Sequence, residues 1–83
     1  MLLGKGGVYT LNVLFDATKL QAKRKLLNLT QATLAEKADT SERYVRSLEA
    51  REKQNPSAVL VFRLSRALQI TMEDLMLVKQ EDS

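Results

Sequence analysis

Eighty-three residues with one proline, three glycines and neither cysteine nor histidine read as one small domain, since a chain this short buries only about 60–65% of its unfolded surface and rarely divides into two cores. The missing residue types exclude disulfides, the usual structural zinc sites, and thiol or histidine-assisted nucleophiles, so neither a cofactor nor an enzymatic activity is expected. The net charge of +3 is unevenly placed: Met1 to Leu68 carries twelve basic and six acidic residues, Gln69 to Ser83 one basic and four acidic. One end of the chain attracts phosphate and the other repels it.

All three glycines, Gly4, Gly6 and Gly7, precede an extended run, Val8 to Phe15, in which Tyr9, Leu11, Val13 and Phe15 alternate onto one face. Residues 1–15 therefore form either a short β-strand, pairing with the same strand of a second subunit, or an extended arm ordered partly against the body. From Asp16 the signals turn helical. Asp16 caps a helix over Ala17–Leu27, Thr30 a short one over Gln31–Ala38, and Ser41 a third beginning at Glu42. No glycine or proline interrupts Ala50-Arg51-Glu52-Lys53, which allows the third helix to run on. Asn55-Pro56 breaks the chain, Ser57 caps a fourth helix through Leu68, and Thr71 to Asp74 has the form of a capping box opening a fifth helix that ends near Val78. The expected fold is all-α: a compact five-helix bundle over residues 16–78, with the N-terminal arm or strand before it and an acidic tail, residues 79–83, after it. The longest uncharged apolar run, Ala58 to Phe62, is far too short for a membrane span, and the N-terminus lacks a signal-peptide layout. A soluble cytoplasmic protein is expected.

Asp39, Thr40 and Ser41 are all that separates the second and third helices, a turn that suits two helices crossing at roughly 90–120°. Ala35 supplies the small residue that a close crossing needs, and Leu34, Ala38, Val45 and Leu48 supply apolar contacts across it. With Leu29-Thr30-Gln31, Leu34-Ala35-Glu36-Lys37, Ser41, Val45, Leu48-Glu49, Asn55-Pro56-Ser57, Leu64, Ala67-Leu68, Ile70-Thr71 and Leu75 in this order, the chain resembles the phage-repressor (Cro-like, XRE) helix-turn-helix family. The resemblance spans about Leu20 to Met76. It departs from the family pattern at Asp39, where glycine is usual, at Thr40, where valine is usual, and after Glu49, where Ala50-Arg51 and one extra residue replace a polar residue and glycine.

The resemblance implies a double-stranded-DNA-binding transcriptional regulator with the third helix in the major groove. Residues opposite Val45 and Leu48 face outward, so Arg43, Arg46 and Ser47 are candidate base contacts; Glu42, on the flank of the helix's N-terminal end, is either a fourth, accepting from a cytosine amino group, or a carboxylate that favours the helix dipole. Arg43 comes first, because its fork matches guanine O6 and N7. Phosphate contacts are expected from Thr30, Gln31, Ser41 and Tyr44, with Lys25, Lys53 and Gln54 added on charge and position. By resemblance, Arg24 and Glu49 form a partly buried ion pair that ties the recognition helix to the bundle.

The fourth helix carries more apolar surface than a core stripe of Ala58, Val61, Leu64 and Leu68 requires. Val59, Leu60 and Phe62, with Met76, Leu77 and Val78 from the last helix, are the expected homodimer contact. A dimeric repressor reading an inverted repeat is the leading expectation. A restriction-modification controller or an antitoxin are the close alternatives, and a protein-interaction bundle without DNA binding stands in a different class.

Overall fold

A computed structural model describes residues 9–82. The order is β1 (Tyr9–Phe15), α1 (Ala17–Leu26), α2 (Gln31–Lys37), α3 (Glu42–Glu49), α4 (Ala58–Ala67), a single 3-10 turn (Met72–Leu75) and β2 (Met76–Asp82). Each α-helix begins where its capping side chain stands: Asp16, Thr30, Ser41 and Ser57 accept hydrogen bonds from backbone N–H groups of the first turn. The core lies between the four helices and the 3-10 turn, with Leu20, Leu34, Val45, Leu48, Leu64 and Leu75 fully buried. Ala35 and Ala38, both buried, let α2 and α3 approach closely.

All four α-helices end alike, although no glycine is available. Asn28, Asp39, Arg51 and Gln69 take left-handed backbone conformations with φ between 57 and 66°. After each, the next N–H bonds back to the carbonyl five residues earlier, as in Thr40 N to Ala35 O (2.9 Å) and Glu52 N to Ser47 O (2.9 Å), which closes a Schellman motif. This corrects the expectation of a prolonged third helix: α3 stops at Glu49 because Arg51 turns left-handed. Asn and Asp tolerate that region; Arg and Gln bear a steric penalty of about 1–2 kcal/mol. Gln69→Gly is therefore expected to raise stability by about 1 kcal/mol after the entropic penalty of glycine. A urea midpoint that falls would contradict the assignment.

The five-helix bundle gives way to four α-helices and a two-stranded sheet. The capping box does form: Thr71 Oγ1 accepts from Asp74 N and Asp74 Oδ2 accepts from Thr71 N, each at 3.2 Å. The backbone hydrogen bond from Thr71 holds the Asp74 carboxyl below its ordinary range. Only one turn follows, and Met76 is already extended at φ −120°, ψ 150°. Four consecutive apolar residues, Leu75 to Val78, fit a buried helix or a strand equally, and β1 decides between them. It pairs antiparallel with β2 from Tyr9↔Asp82 to Phe15↔Met76, so β1 finds its partner within its own chain. Residues 79–82 of the expected tail belong to β2, and residues 1–8 of the expected arm lie outside the described residues. The ribbon adjoins the bundle where Asp16 N donates to Leu75 O at 2.8 Å.

Candidate nucleic-acid interface

α3 is held from behind by a small polar network. Arg24 on α1 grips Glu49 at the end of α3 with two parallel bonds, Nε to Oε2 at 2.6 Å and Nη2 to Oε1 at 2.9 Å. Its remaining nitrogen, Nη1, donates to Leu29 O at 2.8 Å. Gln31 at the start of α2 donates from Nε2 to Glu49 Oε1 at 3.0 Å. The two charged side chains are only 10% and 3% exposed. Burial pushes the Glu49 carboxyl up, but the hydrogen bonds from Arg24 and Gln31 and the Arg24 charge outweigh it and hold the carboxyl below its ordinary range. The bond to Glu49 raises the Arg24 guanidinium. One carboxylate thus joins α1, α2 and α3 and fixes how α3 is presented.

On its outer side α3 borders an open groove of about 420 Å³, where Ser41, Arg43, Tyr44, Arg46, Ser47 and Lys53 meet Ala50 and Glu52. Arg43 is exposed and makes no hydrogen bond or ion pair among the described residues. Arg46 Nη2 bonds to Glu42 Oε2 at 3.1 Å, a solvent-exposed pair one turn apart, weak enough for either member to exchange partners. Ser47 Oγ donates to Tyr44 O at 2.7 Å. Ser41 Oγ accepts from Tyr44 N at 3.1 Å as the cap of α3.

The other candidates are dispersed. Glu42 lines a separate hollow with Glu36 and Asp39 on the acidic side of the α2–α3 turn. Thr30 caps α2, and Gln31 spends its amide on Glu49. Lys25 is exposed in the last turn of α1 and lines none of these hollows. Gln54 donates from Nε2 to Arg51 O at 3.1 Å. It belongs to a second groove of about 400 Å³, which Lys53 also lines, between the ribbon base and the loop after α3. Sequence reasoning missed Arg51, whose guanidinium bonds Thr18 Oγ1 and ties that loop to the start of α1. Its only forewarning was the lack of glycine after Glu49.

The expected self-association residues divide in the same way. Val59 and Phe62 are exposed on α4, with the Arg66 guanidinium 5.6 Å from the Phe62 ring centre. Leu60 is half-buried against the core. Met76, Leu77 and Val78 stand on β2 rather than a fifth helix. Met76 packs on the core, and Leu77 is exposed opposite Leu14 in the second groove, which α4 does not line. The side chain of Val78 lies outside the described residues.

The helix-turn-helix family model matches residues 20–75, two thirds of the chain, from within α1 to the end of the 3-10 turn. The chain belongs to the helix-turn-helix family of XRE, Cro-like type, a family of DNA-binding transcription regulators. Among solved structures it is similar to the restriction-modification controller protein C.AhdI from Aeromonas hydrophila. That match has 30% identity and a TM-score of 0.68, covering 71% of this chain and 88% of the other. The biofilm master regulator SinR from Bacillus subtilis, solved in complex with DNA, matches at 27% identity and TM-score 0.69, covering 71% and 94% of the two chains. The P22 c2 repressor, solved with a synthetic operator, matches at 29% and 0.67, covering 71% and 88%. A comparison with curated proteins finds no match. Among the described residues no helix is long and apolar enough to cross a membrane.

Proposed function

We propose that this DNA-binding regulator acts as a homodimeric repressor that reads an inverted-repeat operator, each copy laying α3 in a major groove. The observation that carries the reading is Arg43: an exposed guanidinium beside a groove shared with Arg46 and Lys53, and without an intramolecular partner among the described residues. Arg43 reads guanine O6 and N7, and Arg46, Glu42 and Ser47 approach neighbouring base edges once the exposed Arg46–Glu42 pair opens. Thr30, Ser41, Tyr44, Lys25, Lys53 and Gln54 contact phosphates, while Gln31 acts chiefly through Glu49, holding the angle between α2 and α3. The two-fold contact lies on α4 at Val59 and Phe62, the exposed apolar pair that the core does not use. The likeness to C.AhdI, with 88% of that chain covered, favours a controller protein of a restriction-modification system as the second reading.

Selection from random duplexes tests both the symmetry and the base contact. The expected sites are inverted repeats with half-sites about 10–10.5 base pairs apart. Arg43→Ala relaxes discrimination at one base position per half-site by about 1–3 kcal/mol. Selected sites without inverted symmetry, or an unchanged ranking of operator variants with Arg43→Ala, would contradict the reading.

A further inference from the structure

The two strands of the ribbon do not expose equivalent edges. Bonded and non-bonded residue pairs alternate along an antiparallel ladder, and the bond from Asp16 N to Leu75 O sets the phase. Continuing the register from there, Leu14↔Leu77, Asn12↔Lys79 and Thr10↔Glu81 are the bonded pairs. The backbone N–H and C=O groups of Tyr9, Leu11, Val13 and Phe15 therefore point away from β2, toward an edge that no other strand among the described residues pairs. The outer edge of β2 is guarded: Met76 O accepts from Lys19 Nζ at 3.4 Å, and the strand carries Lys79, Glu81 and Asp82. β1 has no charged residue and no proline from Tyr9 to Phe15, so it lacks the in-strand charges and prolines that keep edge strands apart.

We propose that this edge is a second self-association surface, on which β1 of one copy pairs antiparallel with β1 of another to give a four-stranded sheet ordered β2-β1-β1-β2. The chemistry selects another copy as the occupant. Opposing Leu11 of one copy to Val13 of the other, about a two-fold axis at Asn12, places only uncharged residues against one another and joins outward-facing backbone groups on both sides. Pairing β2 with β2 about Lys79 would set lysine against lysine. Pairing β1 with β2 of another copy would repeat without closing, whereas the symmetric β1–β1 contact closes on itself. The contact at α4 and the contact at β1 are separate surfaces, so the β1 contact joins one α4 dimer to the next; the set closes at four chains where the two two-fold axes cross at right angles and otherwise continues as a row of dimers. That consequence rests on the two-fold reading above; the edge contact does not.

Val13→Pro is the informative change, because it removes an N–H that faces the free edge and leaves the β1–β2 ladder its bonds. Leu11→Lys, which puts like charges across the two-fold axis, is the independent second variant. Sedimentation equilibrium of the full chain over a wide concentration range is expected to give four or more chains for the wild type and two for Val13→Pro and Leu11→Lys. Phe62→Glu should also give two chains, now joined through β1, and Phe62→Glu with Val13→Pro one. Amide exchange supplies a readout that mass does not: the Leu11 and Val13 amides should slow by about tenfold or more with rising concentration, while those of Asn12 and Leu14 stay protected throughout. A Phe62→Glu protein that is monomeric at every concentration, or a folded Val13→Pro protein that associates like the wild type, would overturn the proposal. A Phe62→Glu protein that forms four chains would instead refute the α4 contact and leave the edge contact standing.

Discussion

Replacing Glu49 with alanine will destabilise the protein by about 3–5 kcal/mol, because it leaves Arg24 buried without its counter-charge. Domains of this size have about 5–15 kcal/mol in total, so the melting temperature should drop by more than about 10 °C. The loss reflects an orphaned guanidinium rather than the net worth of the ion pair. Arg24→Met combined with Glu49→Leu should therefore recover much of it, and a double variant no better than Glu49→Ala would contradict the explanation. The same carboxylate makes the fold acid-sensitive. Its folded pKa lies below the ordinary range, so its contribution is complete above the unfolded value and is lost as pH falls through the folded one. Wild-type stability should therefore decline below about pH 4.5, and the Glu49→Leu double variant should decline less steeply over that interval.

Phe62→Glu is expected to lower affinity for a full inverted-repeat operator by about 10²–10⁴-fold, the gain that joining two half-sites supplies. Affinity for a single half-site should hardly change. The ring is 48% exposed, so the charge opens no core cavity and the helical circular dichroism should be retained. In a two-fold contact, however, each glutamate faces its own copy in a desolvated setting where like charges repel. Pairing through β1 does not rescue the operator, because it brings two chains together by the ribbon and not by the surface that sets the spacing of the recognition helices. Fluorescence anisotropy on full and half operators measures both quantities. Unchanged affinity for the full operator would remove α4 from the interface, and an unfolded variant would make Phe62 a core residue.

The helix starts were legible in the sequence because a cap is a local device: Asp16, Thr30, Ser41 and Ser57 each need only the backbone two or three residues on. The helix-turn-helix was legible for a related reason, since Ala35, Ala38, Val45 and Leu48 lie within fourteen residues and their spacing alone specifies a close crossing. The side of α3 that carries Arg43, Arg46 and Ser47 followed from helical period once Val45 and Leu48 were assigned to the core.

The C-terminus shows where local information ends. Thr71 to Asp74 starts a helical turn as its capping box implies, but whether Met76–Asp82 continues as a helix or extends depends on a strand more than sixty residues away in sequence. Only the folded chain brings Phe15 opposite Met76. The left-handed stop at Arg51 is closed locally by its Schellman motif, but the Arg51 side chain also bonds Thr18 on another helix, a contact that sequence spacing does not announce. The sequence by itself therefore determined the caps, the crossing and the outward basic side of α3, all products of short-range periodicity and side-chain chemistry. Tertiary structure decided the ribbon, the tie from Arg51 to Thr18 and the engagement of Gln31 with Glu49, because each is fixed by a partner that sequence distance hides.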